Sequence, residues 1–279
     1  MPTLPNARAL TISSFDSALD ERAVSCDLAP LTFVDAYGLV GTACALRVAL
    51  ADSPDLVIRA PTSSHARAHL TAMGFRDHLL QIGRSSSLPA GSALEASGVV
   101  VPLRGAVDSG GAQQLSQLLW AQLREHVDPS VLQAIAEGVW EIVGNALEHS
   151  GSDALILGQV YRTSRGGRPP DHDDRVQVVV GDVGRGIRAS FLATGAQAPR
   201  DDVAAINLAL EYLVTSVTDD PGRGQGLFTT MEQVVGLAGL MIVRSGTAKV
   251  KIDAAGRREE TVPRLPGVIV AMSLPLYPG

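Results

Sequence analysis

The stretch Glu137–Gly151, EGVWEIVGNALEHSG, constrains the fold more than any other part of the chain. An α-helix turns about 100° per residue, so Glu141, Asn145 and His149, spaced by four, fall within one sector about 80° wide. Ile135, Val139, Ile142, Val143, Ala146 and Leu147 lie largely on the other sides of that helix. So broad an apolar surface needs a sheet to dock on, with the polar stripe along its border. A mid-helix Asn is a weak helix former that competes for backbone hydrogen bonds, so Asn145 calls for a reason, either ligand contact or a buried hydrogen bond. Trp140 is read as core.

Strands alternate with helices over much of the chain, which implies an α/β (α+β) protein. Short strands are expected at residues 9–12, 23–28 and 56–60, residues 31–39 read as a strand that ends at Asp35 and turns into a helix over 37–51, and a second helix is expected at 63–73. Residues 83–97, containing RSSSLPAGS, have little apolar periodicity and read as a linker between a first domain, 1–82, and a second, 98–279. In the second, a strand at 99–103 precedes a helix at 113–126 with Leu115, Leu118, Leu119 and Leu123 on one side. Asp128-Pro129 opens the long helix and Ser150-Gly151 ends it. Strands follow at 154–161 and 176–182, and helices at 206–213 and 227–237.

The formal net charge of -6 removes a general electrostatic case for nucleic acid or an anionic membrane surface. Cys26 and Cys44 are the only cysteines, sit in apolar segments and match no metal-ligand spacing, so buried, reduced thiols are expected. The N-terminus has no basic region followed by an apolar run, and a cytoplasmic protein is expected.

Two glycine motifs follow the long helix. Asp182-Val183-Gly184-Arg185-Gly186-Ile187 comes after the strand VQVVVGD, and Gly222-Arg223-Gly224-Gln225-Gly226-Leu227 opens an apolar helix. Glycines at such turns let backbone approach a ligand closely, and a helix start offers free N–H groups to phosphate oxygens. The first motif also fits a dinucleotide-binding pattern, which would make the protein a nicotinamide-dependent oxidoreductase, but that fingerprint belongs in the first βαβ unit of its domain. Walker-type and protein-kinase sites need a lysine, and Lys249 and Lys251, the only two here, follow no glycine loop. A lysine-free nucleotide site is what this leaves.

Glu-x-x-x-Asn on a helix, then Asp-x-Gly-x-Gly-Ile, then Gly-x-Gly-x-Gly-Leu, resembles the histidine-kinase-like ATPase superfamily (GHKL), over about residues 99–276. That resemblance implies a Bergerat-type α/β sandwich, a mixed sheet covered by helices, which binds ATP with Mg²⁺. By position, Asn145 would hold Mg²⁺ through its amide oxygen, and Asp182 would accept from the adenine amino group. Gly184 and Gly186 would pass under the base, while Gly222, Gly224 and Gly226 would approach the phosphates. Ile187 and Leu227, closing the two motifs, count with them as nucleotide-binding residues. Glu141 matches the general base. His149 matches a polar position common in the anti-sigma branch, and it also suits a helix C-terminal cation. The compact region between the glycine motifs favours the anti-sigma serine kinase type.

Around Phe33-Val34-Asp35-Ala36-Tyr37-Gly38-Leu39 the first segment resembles a STAS domain, the fold of anti-sigma-factor antagonists. In that family the residue after the Asp is usually a phosphorylated Ser or Thr. Ala36 stands there instead, so the phospho-switch cannot operate at this position. Together the resemblances imply an ATP-Mg binding regulator of partner-switching type, a protein serine/threonine kinase or slow ATPase. Its partner would be a sigma factor, an antagonist or another regulator, with a homodimer open. The alternative is an ATP-gated interaction module without phosphotransfer.

Overall fold

The computed structural model describes residues 4–20, 25–90, 98–162, 174–195, 198–211 and 226–278 of a mixed α/β protein. Its first part contains β1 (Leu4–Pro5), β2 (Ala9–Leu10), α1 (Phe15–Ala18), β3 (Leu19–Asp20), β4 (Ser25–Asp27), β5 (Phe33–Val34), α2 (Ala36–Asp52), β6 (Val57–Arg59), α3 (Ser64–Ala72) and α4 (Phe75–Gln81). There follow β7 (Val99–Ala106), α5 (Ser109–Leu123), α6 (Pro129–Asn145), β8 (Ala154–Tyr161) and β9 (Arg175–Gly181). The chain continues with α7 (Ile187–Thr194), α8 (Asp202–Ala209), α9 (Gly226–Gly236), β10 (Leu240–Asp253) and β11 (Gly256–Pro275).

Local chemistry sets the helix starts. The carboxylates of Asp35, Asp108 and Asp128 accept from the N–H groups of Gly38 (2.7 Å), Gly111 (2.8 Å) and Ser130 (2.9 Å), capping α2, α5 and α6. Pro129 takes the first position of α6, where no N–H is needed. Regular α-helix stops at Asn145. Ala146–Ser150 form a π-helical turn that ends at Gly151, φ 71°. The spacing argument behind the polar stripe therefore holds for Glu141 and Asn145 and lapses before His149.

One five-stranded sheet, ordered β10-β11-β9-β8-β7, organises the molecule. The sheet expected to be mixed is antiparallel at every pairing among the described residues. The helical connection leaving β9 enters the sheet at β10, beyond β11; β9 and β10 run in the same direction, but β11 lies between them and pairs antiparallel with both, so no parallel ladder forms. The long hairpin from Leu240 to Pro275 had no counterpart among the expected strands.

Side chains alternate across this sheet between two cores. Ala154, Ile156, Val176, Val178 and Val180 pack with α5, α6 and α9, whereas Leu155, Leu157 and Val179 pack with α2 on the opposite face. Approach on that rear face is close, for a Cβ on Gly181 would stand 2.7 Å from Val40 Cγ1 and 3.0 Å from Cys44 Sγ.

Three separate two-stranded pairs surround α2: β1–β3 antiparallel, β2–β5 and β4–β6 parallel. Leu10, Phe15, Tyr37 and Leu39 of this segment share a core with Leu155, Ile242 and Ile269 of the sheet. The segment is also joined to β10 ionically. The buried Asp16 carboxylate accepts from Arg244 Nε at 2.7 Å and from Lys249 Nζ at 2.6 Å. Lys249 donates to the Ile12 carbonyl as well, at 2.7 Å, and lies 5.0 Å over the Tyr37 ring. Burial lowers the Lys249 pKa, and the Asp16 charge opposes that shift. Cys26 and Cys44 are buried and free, their thiols pushed up to about 12 by desolvation. Among the described residues no helix is long and apolar enough to cross a membrane.

Candidate functional site

A cavity of about 1050 Å³ opens between α6, α9, the start of α7 and the front of the sheet. Glu141, Asn145, Asp182, Gly186, Ile187, Gly226 and Leu227 all line it. Three stretches far apart in the chain thus meet around one space. Gly184 is not in the lining, and Gly222 and Gly224 lie outside the described residues, as does the side chain of His149.

Asp182 continues the parity of Val176, Val178 and Val180, which turns it towards the cavity side of the sheet. Its Oδ1 accepts from Gly184 N at 2.8 Å. Burial pushes the carboxyl up to about 6, partly offset by the N–H groups of Gly184 and Val268. The loop that follows is tightly built. A Cβ on Gly184 would lie 2.2 Å from Ser150 O, so this glycine lets the loop pass over the end of the π-helical turn. Gly186, at φ 80°, takes a conformation that side chains avoid, and Ile187 N then donates to Ser245 Oγ at 3.0 Å.

On α6, Asn145 Nδ2 donates to Glu141 Oε1 at 3.1 Å. The Asn145 nitrogen is thereby engaged within the helix, and its amide oxygen is the atom left for a cation. Among the described residues no cluster of three or more His, Cys, Asp or Glu could hold a metal ion. No lysine or arginine lines the cavity among those residues either. A Mg²⁺ ion here would rest on one amide oxygen together with ligand oxygens, a donor set suited to a cation that accompanies phosphates.

Trp140, Glu137 and Gln233 are among the lining residues that the sequence reading did not place in the site. Trp140, expected in the core, is 50 % exposed and borders the cavity. The apolar sector of α6 is already filled by Val139, Ile142 and Val143, and Trp140 is one step round from it. Glu137 lines the cavity too, its oxygens accepting from Gln133 Nε2 (2.8 Å) and Gln233 Nε2 (2.6 Å), which hold its pKa below the ordinary value. Gln233, on α9, had no sequence signal, because only the packing of α9 along α6 brings it there.

Comparison with protein-family models gave no match, and comparison with curated proteins gave none.

Proposed function

We propose that this cavity binds ATP with Mg²⁺ in the manner of a GHKL domain, and that the chain is a regulator of partner-switching type with a STAS-like N-terminal segment. The observation that carries the reading is the convergence of Glu141, Asn145, Asp182, Gly186 and Gly226 on one cavity. A volume of about 1050 Å³ is ample for a nucleotide, since ligand pockets run from about 300 to 1,000 Å³.

In this reading the Asp182 carboxylate accepts from the exocyclic amino group of adenine. The first turn of α9 offers backbone N–H groups to phosphate oxygens. Asn145 would hold Mg²⁺ through its amide oxygen, and the ion would supply the positive charge that the described lining residues lack. Glu141 takes a proton from an attacking water or hydroxyl. The hydroxyl of a phosphotransfer reaction comes from a partner protein. Ala36, whose N–H donates to Tyr161 Oη at 3.0 Å, is buried and its side chain carries no hydroxyl. That burial also favours the second reading, an ATP-gated interaction module without phosphotransfer.

Calorimetric titration with Mg-ATP tests the proposal. Wild type binds, Asn145→Ala loses Mg-dependent binding, and Glu141→Ala binds but loses turnover. Unchanged affinity in Asn145→Ala overturns the assignment.

A further inference from the structure

Gly226 opens α9 with no positive φ, so its backbone does not demand a glycine. Space does. A Cβ at this position would stand 1.7 Å from Glu141 Cδ, 2.0 Å from its Oε1 and 2.1 Å from its Cγ, and these are its three nearest heavy atoms. The carboxyl of Glu141 fills the room that a side chain at 226 would need. Its other flank is held by Asn145 Nδ2.

Further contacts fix the start of α9 against α6. Thr230 Oγ1 donates to Gly226 O at 2.8 Å, closing the first turn. One turn before Glu141, a Cβ on Gly138 would meet Thr230 Cγ2 at 2.9 Å and Met272 Sδ at 2.7 Å, so the two helices lie in direct contact there. Gln233 and Glu137 join them again at 2.6 Å. The glycine of α9 is thus brought to a fixed place on the Glu141 side chain.

We propose that Gly226 is a positioning residue for Glu141. The bare Cα of α9 sets the rotamer in which the Glu141 carboxyl meets Asn145 and faces the cavity. This rests on the reading of Glu141 as the base of an ATP site, although the contact itself does not. It gives Gly226 a different task from close approach to phosphate, and the two tasks have separate consequences.

A double-mutant cycle of Gly226→Ala with Glu141→Asp in the full chain separates them. Shortening the acid by one methylene withdraws the carboxyl from the added methyl. In wild-type background Gly226→Ala should lower kcat for ATP hydrolysis about 100-fold, the scale of a misplacement near 1 Å, with KM changed less than about threefold. In Glu141→Asp background the same change should cost less than about twofold. Urea unfolding without nucleotide should show the same coupling, Gly226→Ala being destabilising beside Glu141 and near neutral beside the shorter acid. If Gly226→Ala alone fails to fold while the double variant folds, that rescue supports the proposal too. Equal costs in both backgrounds, or a raised KM with kcat unchanged, overturn it. Wild type that fails to bind ATP while the unfolding cycle stays coupled removes the nucleotide reading and leaves the Gly226–Glu141 contact standing.

Discussion

Asp182→Asn should make the protein more stable while spoiling its proposed ligand site. The carboxyl is pushed from 3.8 to about 6 in the folded chain, chiefly by burial. A carboxylate with a folded pKa above its unfolded one costs stability when ionised. The cost is absent below the unfolded pKa, grows between the two values and is complete above about pH 6. A shift of about two units is worth about 3 kcal/mol at pH 7.5, of which roughly half remains at pH 5. Asparagine keeps an oxygen for the N–H of Gly184 and removes the buried charge. Urea denaturation of the apo protein should therefore show Asp182→Asn stabilised by up to about 3 kcal/mol at pH 7.5, with the gain shrinking at pH 5. Calorimetry should show ATP affinity reduced about 10- to 100-fold, the worth of a hydrogen bond to a charged group. Wild-type affinity should itself fall below about pH 6 as the carboxyl takes up a proton. A variant destabilised equally at both pH values, or one binding ATP like wild type with the same pH profile, would refute this reasoning.

Asp16→Asn leaves the guanidinium of Arg244 and the ammonium of Lys249 buried without their shared counter-charge. Removing one member of a buried ion cluster costs about 3–5 kcal/mol, readable by urea denaturation, and adding Lys249→Met should recover part of it. Ala36→Ser places a hydroxyl at the start of α2 but under Tyr161, at a site with no exposed surface. Incubation with Mg-ATP followed by mass spectrometry should find no phosphate at position 36, and label there would overturn the burial argument.

Much of this arrangement was legible in the residues. Apolar periodicity with Asp and Pro caps marked α6, and the expected strand 154–161 is β8 residue for residue. The paired positions of Glu141 and Asn145 followed from helical spacing, because that spacing is local. Other features were hidden because they depend on partners distant in the chain. Residues 240–275 form two long strands through pairing with each other and with β9, despite charged stretches such as Arg257–Glu260. The π-helical turn at Ala146–Ser150 breaks a period that the sequence continues without interruption. Trp140 reads as core because it is large and apolar, yet neighbours with better aim fill the sheet-facing side. The first 82 residues carry strand and helix signals of their own, and only the packing shows α2 sharing a core with the rear of the sheet.

The alternation along β9 makes the aim of Asp182 a matter of counting. Val176, Val178 and Val180 face the cavity side, Val179 and Gly181 face α2, and Asp182 falls in the first set because an even number of steps separates it from Val176. Inserting two residues in this strand would keep the carboxylate on its side of the sheet. Inserting one would exchange the allegiance of every side chain beyond it, sending Asp182 towards Cys44 and the glycine into the cavity, so the proposed ligand site is encoded there in odd and even as much as in residue type.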